Sequence, residues 1–162
     1  MAMIRFDTLA TIALGMTGLM ASPAVAQHRV QHFPPLGPKP AGVPADARPP
    51  FSASVLAGDT LYLSGVTDID PATHKPGTSP RESARLALDA LRQSVEAAGL
   101  TMDDLVWVQV FATDLGTFSD FGAVYGGYFK GPLPARSFVG VSGLMGGAHF
   151  EVNAIAVRTP AQ

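Results

Sequence analysis

The stretch Pro134-Ala135-Arg136-Ser137-Phe138-Val139 predicts a β-strand that begins after a proline and carries an arginine near its start. Alternation along a strand places Arg136 and Phe138 on one face and Ala135 and Ser137 on the other. The arginine has two interpretations. Its stem can lie along a sheet edge with the charge in water, or its planar guanidinium can hold a carboxylate through two parallel hydrogen bonds.

The composition is that of a compact domain. The sequence has 162 residues, of which 47% are hydrophobic and 15% charged, and its formal net charge is −2. It contains no basic block, so we expect no nucleic-acid partner, because capture of a phosphate backbone needs clustered lysine and arginine. Cysteine is absent, which excludes a thiolate nucleophile, a disulfide and a cysteine-ligated metal.

Residues 1–26 are typical of a secretory signal peptide. Arg5 precedes a mostly apolar run over residues 9–20, and Ala24-Val25-Ala26 offers a cleavage site with small residues before Gln27. The run is short for a membrane span, which needs about 20 apolar residues. We therefore expect a periplasmic or secreted protein with no stable membrane insertion after signal cleavage; an uncleaved anchor is the alternative.

Residues 27–50 hold seven of the 14 prolines. Because proline cannot donate a hydrogen bond to a sheet ladder, we expect an extended linker or an arm that lies on the domain. His28 and His32 are four residues apart, but no helix and no third ligand accompany them. We therefore expect both histidines to be unpaired, and we expect no metal site.

Residues 51–158 are predicted to form one α+β domain, followed by a tail at 159–162. Residues 51–56 and 60–64 have the pattern of a hairpin around Gly58-Asp59. Ser79-Pro80-Arg81-Glu82 predicts a helix start with a capping box, and Gly99 predicts its end. A strand over 105–113, a helix over about 117–129, the Arg136 strand and a strand over 149–157 complete the order β-β-α-β-α-β-β.

Two helices can cover only one face of such a sheet. Val106, Val108, Val110 and Ala112 are predicted to form the apolar face of their strand, with Trp107 and Phe111 on the other face. Aromatic residues on the uncovered face favour association with another copy. His149, Glu151 and Asn153 alternate onto one face of the last strand, which indicates an open sheet face or a pocket wall.

The order and spacing of several short motifs carry a resemblance to a known family. The motifs are Leu63-Ser64-Gly65, Ala97-Ala98-Gly99-Leu100, Val110-Phe111 with Thr113-Asp114-Leu115, Pro134-Ala135-Arg136-Ser137, and Glu151-Val152-Asn153-Ala154-Ile155-Ala156-Val157. From about residue 51 to residue 157 the chain resembles the Rid family, the reactive imine intermediate deaminases also called YjgF-like proteins.

This resemblance implies a chorismate-mutase-like fold, with its helices on one face of the sheet, and a homotrimer with active sites between subunits. It also implies hydrolysis of small 2-imino acids, such as 2-iminopropanoate and 2-iminobutanoate, to 2-keto acids and ammonia, without metal or organic cofactor. Arg136 matches the family's carboxylate-binding arginine, and Glu151 matches the glutamate associated with the attacking water.

Four further residues are candidates for substrate binding. Backbone groups at Gly65 and Ser137 can complete the pocket, although Gly65 can equally mark a β-bulge or strand end. Phe51 and Phe138 stand where the family commonly has tyrosine and cysteine, and Val66 and Gly122 replace a common glutamine and asparagine. The alternative function is a non-catalytic binding protein for small carboxylates. RNA cleavage is disfavoured by the net charge.

Overall fold

The computed structural model describes residues 29–36, 44 and 46–159. The predicted signal peptide, His28 and the end of the predicted tail lie outside these residues. The regular elements are β1 (Val30–Phe33), β2 (Ser54–Ala57), β3 (Thr60–Thr67), α1 (Pro80–Ala97), β4 (Leu105–Ala112), α2 (Phe118–Tyr125), β5 (Ala135–Gly140) and β6 (Phe150–Val157). No helix within the described ranges has the length and apolarity needed to cross a bilayer.

The six strands form one sheet in the order β1-β2-β3-β6-β4-β5. All neighbours are antiparallel except β4 and β5, which run parallel because α2 connects them. The strand that carries Arg136 is therefore an edge strand. The strand that carries Glu151 lies in the interior of the sheet, between β3 and β4.

Both helices pack on the same face of the sheet, as the sequence predicts. The apolar face of α1 is buried against the strands through Leu88, Leu91 and Val95, which are fully inaccessible to solvent. Ser79 caps the start of this helix, and its hydroxyl oxygen accepts the Glu82 N–H. The carboxylate of Glu82 accepts the N–H of Thr78 at 2.8 Å, one residue before the group that a capping box would use.

One strand lies in the segment that the sequence predicts as a linker or arm. Residues 30–33 pair with β2 along its whole length, so this part of the segment is an arm that extends the sheet. The expectation that His32 is unpaired is wrong, because its Nδ1 lies 3.0 Å from the Ser52 hydroxyl oxygen. The hairpin turn at Gly58-Asp59 is confirmed, with φ of 61° at Gly58.

Two expectations about the second half of the domain are corrected. Helix α2 ends at Tyr125 and continues only as a 3-10 turn over Gly126–Tyr128, since successive glycines weaken a helix. Val106 does not belong to the buried face of β4. The ladder with β6 shifts register between Leu105 and Trp107, and this bulge places Leu105 in the core and leaves Val106 47% exposed.

Candidate functional site

Arg136 lies on the helix-covered face of β5, next to Val108 of β4. Its guanidinium carbon is 4.5 Å from the ring centroid of Tyr125 and 5.4 Å from that of Phe118. Such distances are favourable for a cation over an aromatic face. Among the described residues, no hydrogen bond or ion pair to the guanidinium is present. Its donors are therefore available to an anion.

Tyr125 keeps the aromatic platform under Arg136 uncharged. Burial raises the pKa of its phenol to about 12, and the positive charge of Arg136 opposes this shift. The hydroxyl is buried and has no hydrogen-bond partner among the described residues. The tyrosine therefore contributes its ring to the site, and the hydroxyl is not engaged in holding Arg136.

Phe138 shares the face of Arg136, as strand alternation predicts. Its ring packs edge-on against Phe118 at 5.2 Å and against Phe121 at 5.7 Å, measured between ring centroids. Phe118 is half-exposed, whereas Phe121 is completely buried. Arg136 thus lies at the edge of an aromatic cluster, and the side chains next to it are apolar.

Glu151 lies on the opposite face of the sheet, where it is opposite Phe111 of β4 and Thr67 of β3. The β3 strand has a register shift at Ser64 and Gly65, so the interpretation of Gly65 as a bulge is correct. A Cβ atom at Gly65 would overlap the Glu151 carboxylate and lie 2.8 Å from its Cδ. The absence of a side chain at Gly65 therefore makes room for this carboxylate.

The other two candidates are placed separately from Arg136. Ser137 alternates to the open face and pairs with Gln109 of β4. Phe51 is 56% exposed and lines a groove of about 290 Å³ together with Gly65 and Leu36. Three grooves of the described protomer have volumes of about 230, 290 and 440 Å³, and neither Arg136 nor Glu151 lines any of them.

A single protomer therefore holds two half-sites on opposite sides of its sheet. Arg136 and Phe138 face the helices, whereas Glu151 and Ser137 face the open side, with Gly65 against Glu151. The structure does not bring Arg136 and Glu151 together within one chain.

One expectation about the last strand is wrong. His149 does not lie beside Glu151 on the open face, because the ladder starts at Phe150. Its Nδ1 lies 3.0 Å from the hydroxyl of Ser83 on α1 and 3.2 Å from the carboxylate of Asp68. Asp68 is completely buried. This cluster leaves no signal in the sequence, because a buried carboxylate beyond the end of a strand has no periodic pattern.

Within the described ranges, no group of three or more His, Asp or Glu side chains is placed so that it could hold a metal ion. The two half-sites present a guanidinium, a carboxylate and backbone groups. A guanidinium can bind a carboxylate through two hydrogen bonds, and a carboxylate can orient and deprotonate water.

Comparisons with known proteins identify the family of this chain. The model of a family described as Endoribonuclease L-PSP matches residues 43–158. A 2-iminobutanoate/2-iminopropanoate deaminase of Dermatophagoides farinae is 36% identical over 124 residues, which cover 76% of this chain and 91% of the relative.

Solved structures give the same result. The structure of E. coli TdcF with bound serine has a TM-score of 0.65 at 34% identity, covering 70% of this chain and 91% of that one. RidA from the Antarctic bacterium Psychrobacter sp. PAMC 21119 has a TM-score of 0.64 at 30% identity, covering 69% and 91%. The family-model match covers most of the chain, and the relatives are matched over nearly their whole length. This chain belongs to the Rid family of YjgF-like proteins.

Proposed function

We propose that this protein is an imine hydrolase that converts small 2-imino acids, of the 2-iminopropanoate and 2-iminobutanoate type, to 2-keto acids and ammonia. Relatives at about 36% identity carry the name of this deaminase. The observation that carries the proposal is the state of Arg136, a half-buried cation over aromatic rings with no acidic partner among the described residues.

Arg136 would bind the substrate carboxylate. A guanidinium presents two parallel N–H donors that match the two carboxylate oxygens, and this fixes the orientation of the substrate as well as its position. The rings of Phe118 and Tyr125 hold the arginine from below, which limits the conformations that it must lose on binding. Orientation of this kind can account for a large part of a rate acceleration.

Glu151 would act on water. The carbon of a protonated imine is already electrophilic, so a water oriented by one carboxylate can add to it without a stronger nucleophile. Water forms the new C–O bond and gives a proton to Glu151. The proton then returns to the nitrogen of the carbinolamine. Glu151 takes the hydroxyl proton as the C–N bond breaks and the keto group forms, and the departing ammonia leaves with this proton as ammonium.

The complete site would form between copies of the chain in a homotrimer. Arg136 of one protomer and Glu151 of its neighbour would then face one substrate. The open sheet face supports association, because Tyr62 and Val139 are exposed there beside Trp107, Phe111 and Ile155. Apolar side chains on an uncovered face are typical of an interface between subunits.

Two other activities are distinguished by simple observations. A non-catalytic carboxylate-binding protein would bind a keto acid through Arg136 without turnover. RNA cleavage, which the description of the family model names, would need a basic surface, and the chain has a formal net charge of −2. We also propose that the protein acts in the periplasm or outside the cell, which rests on the pattern of residues 1–26.

The test is hydrolysis of 2-iminobutanoate generated in the assay by an amino acid-oxidising enzyme. Wild-type protein should shorten the lifetime of the imine, and Arg136→Ala should abolish this effect. Arg136→Lys serves as the matched control, because it keeps the charge and loses the two-pronged geometry. It should retain some activity with a raised KM. An unchanged rate in Arg136→Ala would contradict the assignment of the carboxylate site.

A further inference from the structure

A buried carboxylate is hydrogen-bonded to the two residues that precede Glu151. Asp68 follows the last residue of β3, and its side chain has no exposure to solvent. Its Oδ1 accepts the backbone N–H of His149 at 2.8 Å and that of Phe150 at 3.1 Å. The N–H of Asp68 in turn donates to the carbonyl oxygen of Phe150 at 3.3 Å. Three hydrogen bonds thus tie Asp68 to the two residues that precede Glu151.

These bonds extend the β3–β6 ladder past its end. The last paired residues of the two strands are Thr67 and Glu151, and beyond them the Asp68 side chain replaces a backbone carbonyl as acceptor. Glu151 directly follows His149 and Phe150 in the chain. A small displacement of the start of β6 would therefore move Glu151 relative to Gly65. The close contact of Glu151 with Gly65 leaves little room for such a displacement.

The ring of His149 completes the surroundings of Asp68. Its Nδ1 lies 3.2 Å from Asp68 Oδ2 and 3.0 Å from the Ser83 hydroxyl oxygen. A carboxylate can only accept hydrogen bonds, so the proton at the first contact is on the imidazole. Ser83 is fully buried on α1, and the cluster thereby connects the start of β6 with both β3 and the helix layer.

A fully buried carboxylate is costly even when it is paired, and an apolar residue of similar size would often stabilise the core at least as well. We therefore look for the role of the Asp68 carboxylate in the backbone conformation that it specifies. We propose that Asp68 is a positioning residue for Glu151: its carboxylate fixes the first residues of β6 so that Glu151 is held at the water-binding position. This inference rests on the proposed function for its kinetic consequence, but its structural consequence is independent of catalysis.

The experiment compares Asp68→Ala with Asp68→Asn. The asparagine carbonyl can accept both N–H groups, so this variant should keep kcat close to that of the wild type. Loss of both bonds in Asp68→Ala should lower kcat on the order of 10- to 100-fold, the effect of a misplacement near 1 Å. KM should change little, because no hydrogen bond of the Asp68 side chain involves Arg136 or strand β5. A merely structural role would instead lower the amount of folded protein without changing kcat per folded molecule.

His149→Ala is the matched control. It removes the ring and leaves the backbone bonds to Asp68, so kcat should stay close to the wild-type value. A loss in His149→Ala equal to that in Asp68→Ala would overturn the proposal, as would an equal loss in Asp68→Asn. If Asp68→Ala does not fold, Asp68→Ser replaces it in both comparisons, because the serine side chain is too short to accept both N–H groups.

Backbone amide exchange separates this inference from the proposed function. The amides of His149 and Phe150 should exchange at least about tenfold faster in Asp68→Ala than in the wild type, and at the wild-type rate in Asp68→Asn. If the wild-type protein hydrolyses no imino acid, the proposed function fails. The exchange pattern still decides whether the Asp68 carboxylate fixes the first residues of β6. Equal exchange in Asp68→Ala and wild type would overturn the proposal.

Discussion

The carboxylate of Glu151 lies against the α-carbon of Gly65, in the space that any side chain at position 65 would occupy. The bulge in β3 brings the backbone of Gly65 to this position. The φ angle of Gly65 is not positive, so the glycine is needed here for space and not for its conformational freedom. Gly65, a candidate for substrate binding, and Glu151, a candidate for catalysis, therefore belong to the same half-site.

Gly65→Ala is expected to displace the Glu151 carboxylate and to lower kcat on the order of 10- to 100-fold. The added methyl group overlaps Glu151, and the side chain has to adopt another rotamer or the strand has to shift. Steady-state kinetics with 2-iminobutanoate measures the effect. Gly143→Ala is the control, since no atom lies within 4 Å of a Cβ there. Equal activity of the two variants would show that the contact has no catalytic importance.

Tyr125→Phe is expected to leave the KM unchanged and to leave the free energy of unfolding unchanged or raise it by up to about 1 kcal/mol. The hydroxyl that it removes is buried without a partner among the described residues, and such a group carries a desolvation cost. The ring beneath Arg136 remains. Equilibrium denaturation measures the free energy of unfolding.

Tyr128→Phe is the matched comparison for that substitution. The hydroxyl of Tyr128 donates to Asp89 at 2.8 Å, so its loss should lower the free energy of unfolding by about 1 kcal/mol. A destabilisation in Tyr125→Phe as large as that in Tyr128→Phe would mean that the Tyr125 hydroxyl has a partner.

Alkaline pH should destabilise the protein through these two tyrosines. Burial raises the pKa of Tyr125 to about 12, and burial followed by the hydrogen bond and charge of Asp89 raises that of Tyr128 to about 12. The unfolded state releases these protons near pH 10, before the folded state does. The stability contributed by the protonated phenols is therefore complete below pH 10 and is lost as the pH rises to about 12.

Denaturant unfolding between pH 9 and pH 12 measures this loss. The Tyr125→Phe/Tyr128→Phe double variant should lose less stability than the wild type over this interval. Identical pH dependence of the two proteins would contradict the raised pKa values.

Glycines in two different conformations should respond to alanine in opposite directions. Gly122→Ala, inside α2 with open space around its Cβ position, should raise the free energy of unfolding by up to about 1 kcal/mol. Gly99→Ala also has open space, but φ is +73°, and it should lower this free energy by about 1–2 kcal/mol. Thermal and denaturant unfolding measure both changes. A destabilising Gly122→Ala would point to a contact made by another copy.

The sequence predicts the fold class and most elements because their signals are local. Alternation places Arg136 with Phe138, and helical spacing predicts the buried face of α1. The bulge at Val106 is not predictable from alternation, because both registers leave a hydrophobic residue on each face. The pairing of β1 depends on a distant partner strand, and proline content concealed it.

The candidate site was predictable in its residue types and only partly in its geometry. The resemblance assigns roles to Arg136 and Glu151, but their separation onto opposite faces follows from the order and register of β5, β4 and β6. Asp68 left no signal in the sequence. Its importance depends on burial and on hydrogen bonds to residues about 80 positions away, which no local pattern contains.

The central claim is that Arg136 of one copy and Glu151 of another act on the same substrate. Arg136→Ala and Glu151→Gln should each be inactive alone. If the two variants are mixed in equal amounts, unfolded and refolded together, random assortment in a closed ring gives about one quarter of the interfaces an intact pair.

The measurement that tests this claim most directly is the imine hydrolysis rate of the co-refolded mixture, compared with each variant refolded alone and with refolded wild type. We expect recovery of about one quarter of the wild-type rate, set by the statistics of assembly in a symmetric oligomer. A mixture no more active than the separate variants would contradict a site shared between copies.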